Sequence, residues 1–315
     1  MIKRIMTVNV SLLIFSFFVI FGASSQGEVN AVNLQDKFFF EPASAQGFNN
    51  TSGIQNETAE STTPLIVKLL ADNLENRLNK SAAILEVAGE LPQVKNLSYA
   101  NSISPELHGI PKDIDIAKRK VAQDILTADR DLQVINLLMP NGDTYMVEPY
   151  SRQQNLTGFN FAFRDYYKGA VGTADTYLGE VFISASSGLP QSNIAVPLYS
   201  SASNNNSSNM TLLGVWAGGL NLTTFSEALQ SLNLTNGERV VYIAQNGLKV
   251  ADSDKQSFTT NQNESFSNLQ AFNKVLQEQK PGSAIETING TRMLVFYEPV
   301  QFHSTTWAVL LMRPL

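Results

Sequence analysis

The 315-residue sequence has no cysteine and only two histidines. Without thiols there are no disulfides, no cysteine-ligated zinc and no thiol nucleophile, so stability rests on packing. His108 lies in "PELHGIPK" and His303 in "PVQFHSTTW"; neither has a partner at metal-ligand or nucleophile-base spacing, and both read as surface residues. The chain also lacks a G-x-S-x-G elbow, a glycine-rich phosphate loop and an H-E-x-x-H helix. The inventory points to a protein that is not an enzyme and that carries no metal and no cofactor. Asp252 and Asp254 lie near a turn and read as solvated or capping acids rather than a catalytic pair.

Charge is sparse as well, at 16% of residues, with 22 basic and 28 acidic side chains giving a net −6. The only basic run is the short "AKRK" at 117–120. Such a field repels phosphates, which excludes nucleic acid as an expected partner.

Long apolar runs are absent after the N-terminus. There, "MIKRIMTVNVSLLIFSFFVIFGASSQG" sets Lys3 and Arg4 before an apolar core from Leu12 to Phe21, followed by small residues. This pattern is an export signal. The core is shorter than the ~20 residues of a comfortable membrane span, which favours a cleaved signal over an anchor at residues 5–23. The expected location is extracellular or cell-surface. N-x-Ser/Thr sequons, among them Asn56, Asn96, Asn155, Asn209, Asn233, Asn263 and Asn289, suit a glycosylated exterior.

What is present falls into four parts: a signal or anchor at 1–26, a Ser/Asn/Gln/Gly-rich flexible stalk at 27–61, and two modules at 62–236 and 237–315. Thr63-Pro64 reads as the start of a long amphipathic helix with Ile66, Leu70, Leu74, Leu78, Ala82 and Leu85 on one face. A second helix is predicted from a cap at Asp113, burying Ile114, Ala117, Val121, Ile125 and Ala128. "LQVINLLMPNGDTYMVEP" (132–149) reads as a hairpin, and "ERVVYIAQNGLKVADSD" (238–254) repeats its plan about a hundred residues later. "NIAVPLYS" with "LLGVWAGGL" is echoed by "LVFYEPVQ" with "TTWAVLLM", each a pair of strands with an internal proline and a tryptophan. Pro197 and Pro299 demand an edge or a bulge. The loop at 200–209 reads as a polar hairpin tip. Trp216 and Trp307, at equivalent strand positions, read as core packing rather than ligand platforms.

The stretch "GFNFAFRDYYKGA" (158–170) gathers five aromatic rings around Arg164 and Asp165. A guanidinium offers a planar fork of donors to a carboxylate, and tyrosines supply apolar walls with polar tips. Equally, Asp165 could cap a short helix, Tyr166 pack inward and Arg164 form a structural ion pair. The residues alone leave both open.

A long helix, a hairpin leading into "EPYSRQQNLTGFNFAFRDYYKGAVGTADTYLGEVFISASSGLPQSNIAVPLYS", and then "LLGVWAGGLNL" resemble the extracellular double Cache sensor domain of prokaryotic chemoreceptors and sensor kinases. The resemblance implies an α+β fold in which a long N-terminal helix carries two PAS-like antiparallel-sheet modules, with a small molecule bound in the first. In the amino-acid-binding members an aromatic, four residues, an Arg, one residue and two adjacent aromatics form the ligand box, which maps to Phe159, Arg164, Tyr166 and Tyr167. Tyr145, on the first hairpin, would border the pocket. Those members place an ammonium-neutralising Asp where Gly219 stands here, so a carboxylate or neutral ligand is favoured over a standard amino acid unless Asp175, Glu180 or another acid substitutes.

The implied function is a sensor module signalling by population shift, with a membrane signalling protein as partner and a homodimer along the long helix as expectations. Members of the family continue into a second membrane span and an output region, whereas this sequence ends at "LLMRPL". The expectation is a truncated or stand-alone module, the latter signalling by contact with another protein. The alternatives are a secreted or tethered solute-binding protein serving a transporter, and a surface module with a vestigial pocket.

Overall fold

In the computed structural model, residues 54–200, 210–235, 237–256 and 263–315 are described. The export signal, the stalk up to residue 53, the hairpin tip at 201–209 and the sequon at Asn209 lie outside them. The sequon asparagines at 96, 155, 233, 263 and 289 are all exposed. None of the described helices is long and apolar enough to cross a membrane.

The first helix, α1 (Ile54–Gly89), starts before Thr63 and carries Pro64 inside it. Thr63 is buried and its hydroxyl accepts a 2.8 Å hydrogen bond from Arg313, so it anchors the helix rather than starting it. The buried stripe is Val67, Ala71, Leu74, Leu78, Ala82 and Leu85, while Ile66 is 42% exposed. A strict spacing of four, as in Ile66-Leu70-Leu74, drifts around a 3.6-residue helix, and the core follows the mixed three-and-four spacing instead.

After a single turn, α2 (Pro92–Lys95), comes α3 (Ile116–Ala128). Its N-cap position is Asp115, in left-handed geometry at φ 53°, not Asp113. Lys118, Arg119, Ala122 and Ile125 are its buried residues, and Ala117 and Ala128 face solvent. The helix is rotated because two charged side chains find polar partners in the interior, something apolar periodicity does not register.

The first sheet contains β1 (Leu132–Leu138), β2 (Thr144–Glu148), β3 (Tyr177–Leu178), β6 (Asn193–Tyr199) and β7 (Leu212–Leu220) in the order β2-β1-β7-β6-β3. A separate ribbon pairs β4 (Phe182–Ile183) with β5 (Pro190–Gln191). Helices α4 (Tyr150–Gln154), α5 (Asp165–Thr173) and α6 (Leu222–Gln230) complete this part. The second sheet comprises β8 (Arg239–Ile243), β9 (Lys249–Asp252), β10 (Gly282–Ile288), β11 (Thr291–Phe302) and β12 (Thr305–Pro314), with α7 (Gln270–Glu278) packed on it, in the order β10-β11-β12-β8-β9. Numbered within each sheet, both read 2-1-5-4-3, all antiparallel.

The repeat holds to the residue from the first hairpin of each copy to the helix that follows it, and shifts afterwards: Trp216 matches Val309 in register rather than Trp307. Gly142 and Gly247, both at positive φ, close the two hairpin turns 105 positions apart, and α5 and α7 keep the same offset. Phe161 N donates to Gly142 O at 2.8 Å, and Phe266 N to Gly247 O at 2.7 Å. At each glycine an added Cβ would collide with the returning segment, on Ala162 or Ser267, so both the φ and the space call for glycine. Pro197 and Pro299 each lie past the end of one neighbouring strand, β3 or β10, so that side of the strand is locally an edge, while the other side pairs with Val215 or Ala308. Trp216 and Trp307 are fully buried on β7 and β12.

Candidate ligand-binding site

Strand alternation on β1 points Val134 and Asn136 to the same side of the first sheet, beneath α5 and the β4–β5 ribbon. The space between them is a half-open pocket of about 430 Å³ counting its mouth. Its polar lining comes from Asn136, Thr144, Arg164, Tyr166, Gln191 and Asn193, with Ser184 and Ser186 at the ribbon turn. None of the lining residues carries a carboxylate.

Arg164 occupies the N-cap position of α5, which turns its side chain across the ribbon. Its guanidinium lies 4.4 Å from the centroid of the Phe182 ring and 5.0 Å from that of Phe163, and Nη2 donates to the carbonyl of Ile183 at 3.1 Å. Burial lowers its pKa, a shift that Tyr166 partly opposes, and no carboxylate contributes. Tyr166 stacks beside Phe182 at 5.7 Å, and its hydroxyl lies 3.5 Å from Asn136 Nδ2. Burial pushes this phenol up to about 12, so it stays protonated and able to donate. The Arg-Asp alternative resolves differently from a structural ion pair: Asp165 instead accepts from the backbone N of Glu180 at 2.8 Å.

The other expected site residues sit elsewhere. Phe159 presents its backbone carbonyl to Thr144, and the ring at the pocket is that of Phe161, two positions on. Tyr167 is buried under α5 with its hydroxyl on the carbonyl of Pro140 at 2.6 Å, tying the helix to the first hairpin turn. Tyr145 faces α3, where its hydroxyl donates to Asp115 at 2.7 Å. Gly219 does not line the pocket; a Cβ there would lie 2.5 Å from Gln191 Nε2 and would also strike Val134. Asp175 pairs with His303 at 3.0 Å, which makes His303 a contact between the β11–β12 turn and the first part of the chain. Neither Asp175 nor Glu180 reaches the pocket.

Gln191 therefore fills the space beside Gly219. Its Nε2 donates to Asn193 at 2.6 Å and its Oε1 accepts from Arg152 at 3.1 Å. Asn136 carried a legible signal, one of two amides, with Gln133, in the otherwise apolar β1. Gln191 and Arg152 carried none, because a two-residue strand and a five-residue helix are too short to show periodicity. Gly219→Ala is expected to destabilise the chain by about 1–3 kcal/mol through this overlap. Gln191→Ala in the same chain should recover part of that loss, read as midpoints of urea unfolding.

The same cradle in the second sheet is filled. By the 105-residue offset, the positions of Val134, Thr144, Val147 and Phe161 are taken by Arg239, Lys249, Asp252 and Phe266. There Asp252, fully buried, accepts from Arg239 at 2.6 and 3.1 Å and from Lys249 at 3.1 Å, and Glu264 joins both cations. Asp252 is thus the centre of an ion cluster rather than a solvated acid.

A 2-1-5-4-3 antiparallel sheet repeated twice along one long helix, with an arginine-and-aromatic pocket on the first copy, defines a tandem PAS-like sensor domain. The chain belongs to the Cache-domain family: the dCache_1 family, described as Cache domain, matches residues 50–315. No curated protein sequence matches it. Among solved structures it is similar to the ligand-binding domain of the Pseudomonas fluorescens chemoreceptor CtaA in complex with L-isoleucine, at 18% identity and TM-score 0.54 over 83% of this chain and 94% of that one. It is also similar to the ligand-binding domain of the Pseudomonas aeruginosa PAO1 chemoreceptor PctC in complex with GABA, at 18% identity and TM-score 0.52 over 82% and 99%. A third likeness is to the extracellular domain of the putative histidine kinase rpHK1S-Z16, at 14% identity and TM-score 0.61 over 83% and 97%. At these identities the likeness concerns the fold.

Proposed function

We propose that the chain is an extracytoplasmic sensor module that binds a small anionic molecule between β1, α5 and the β4–β5 ribbon, with Arg164 taking a carboxylate and Tyr166 donating to it. The observation that carries this reading is a half-buried guanidinium, stacked on Phe182 and with no acidic partner, in a pocket whose lining has no carboxylate. A cation so placed gains from an arriving anion what it lost on leaving water. An α-amino acid fits less well, because Gln191 stands where its ammonium would need an acid. The export-signal pattern of the sequence supports a place outside the membrane, and differential ligand affinity between two states of the pocket supplies the signal to a membrane partner.

A thermal-shift screen with carboxylates, amino acids, amines and nucleobases tests this. A ligand at 100 times its Kd stabilises by about 2.7 kcal/mol. A carboxylate is expected among the hits, and Arg164→Ala should abolish its shift. A hit that stabilises Arg164→Ala equally well would remove Arg164 from the site.

A further inference from the structure

Arg152 is half-buried on α4 and makes no ion pair among those described. Its Nη2 donates to Gln191 Oε1, and its Nε is buried with no hydrogen-bond partner. Burial lowers its pKa, with no carboxylate opposing the shift. A guanidinium kept from water without an anion is costly, and an orphaned Nε adds to the cost.

Its position relative to Arg164 gives the orphan a meaning. Phe182 and Gln191 are directly opposed across the β4–β5 ribbon, and both line the pocket. Side chains of opposed residues share one face, with Cβ atoms roughly 5 Å apart. Arg164 stacks on the first of this pair and Arg152 bonds to the second. The two guanidinium groups thus bracket one pocket-lining pair. Nε and Nη2 of Arg152 form a side-on fork, of which one prong holds an amide oxygen and the other holds nothing. A carboxylate in place of Gln191 Oε1 would fill both prongs, exchanging one hydrogen bond to a neutral amide oxygen for two to an anion.

We infer that the ligand of this pocket is a short dicarboxylate, one end held by Arg164 and the other by Arg152 once Gln191 yields its place. This rests on the carboxylate reading of the pocket and deepens it to a doubly charged ligand. Arg152, which stands behind Gln191 and outside the present lining, is then the specificity-determining residue.

Calorimetric titration of the full chain with succinate, glutarate and butyrate at fixed ionic strength separates the two claims. One of the diacids is expected to bind at least about tenfold tighter than butyrate, the scale of one charge-assisted contact. Arg152→Gln should erase that preference, weakening the diacid by far more than butyrate, and Arg152→Lys should retain part of it. Circular dichroism confirms that each variant is folded. Equal affinity for butyrate and both diacids in the native chain would overturn the inference and leave the monocarboxylate site standing. So would an Arg152→Gln variant that weakens butyrate as much as the diacid, since that is the mark of a purely structural role. If none of the three binds the native chain, the carboxylate reading falls and this inference with it.

Discussion

Asp252→Ala is expected to lower the stability of the chain by about 3–5 kcal/mol, because it withdraws the carboxylate that two interior cations share. Lys249 has a side chain only 2% exposed, and Arg239 is 20% exposed. With Asp252 gone, Glu264 alone remains of the two carboxylates that balance these cations, so a net positive charge stays behind in a largely buried site. Urea unfolding followed by circular dichroism measures the loss, and a change below about 1 kcal/mol, the range of an exposed pair, would show that the cluster is effectively solvated. The pH dependence gives a second reading. Burial alone would raise the carboxyls of Asp252 and Glu264, but Arg239 and Lys249 outweigh it and hold both below the usual carboxylate range. The unfolded chain therefore takes up protons on these groups at higher pH than the folded chain does. Their stabilisation is complete above the unfolded values of about 4 and is lost as pH falls through the depressed folded ones. Asp252→Asn should flatten that acid limb.

The contrast between the two sheets bears on how the chain divides its labour. Identical topology, and a 105-residue offset held from the first hairpin to the following helix, place the same backbone cradle in both. In the first copy the cradle positions are Val134, Thr144 and Val147, which leave room, and α5 opens with Arg164. In the second, Arg239, Lys249 and Asp252 fill the room with one another, and the position of Arg164 is taken by Leu269. A cluster that satisfies its own charges offers little to a ligand, whereas an arginine without an acid does. This asymmetry favours the first copy as the binding module and the second as a rigid support.

Much of this architecture was legible along the chain. The Asn-Gly turns, the alternation of the hairpins and the paired proline-tryptophan strands marked both sheets, because these signals are local. The spacing around Arg164 and Tyr166 marked two residues that do line the pocket. Phe159 and Tyr167 have the right spacing but the wrong direction: a tight return at Gly142 brings Phe161 to the pocket instead, and the turn of α5 sends Tyr167 to the carbonyl of Pro140. Gln191 and Arg152 come from segments too short for periodicity, the ribbon and α4, and Asn193 is the first residue of β6, where alternation has only begun. The buried charges were the least legible. A lysine or arginine reads as solvent-facing until its partners, dispersed in sequence, are known.

Asp115→Asn tests another such cluster and is expected to cost about 3 kcal/mol. Lys118 is fully buried in α3, paired with Asp115 at 2.7 Å, donating to the carbonyl of Asn96 and lying 4.2 Å from the centroid of the Tyr145 ring. Burial lowers its pKa, and Asp115 offsets only part of that shift. Asparagine tolerates the left-handed φ of position 115 and can still accept from Tyr145, so this substitution removes the charge while sparing the backbone. Asp115→Asn with Lys118→Met should recover most of the loss, since an apolar side chain of similar length needs no counter-charge. A double-mutant cycle in urea measures the coupling, and a single Asp115→Asn variant within about 1 kcal/mol of the native chain would show that Lys118 gains nothing from its carboxylate. The same variants separate Tyr145 from ligand recognition. If the ring serves the α3 cluster, Tyr145→Phe loses its bond to Asp115 and some stability but binds carboxylates as the native chain does. A Tyr145→Phe chain that stays folded and no longer binds them would return the residue to the pocket.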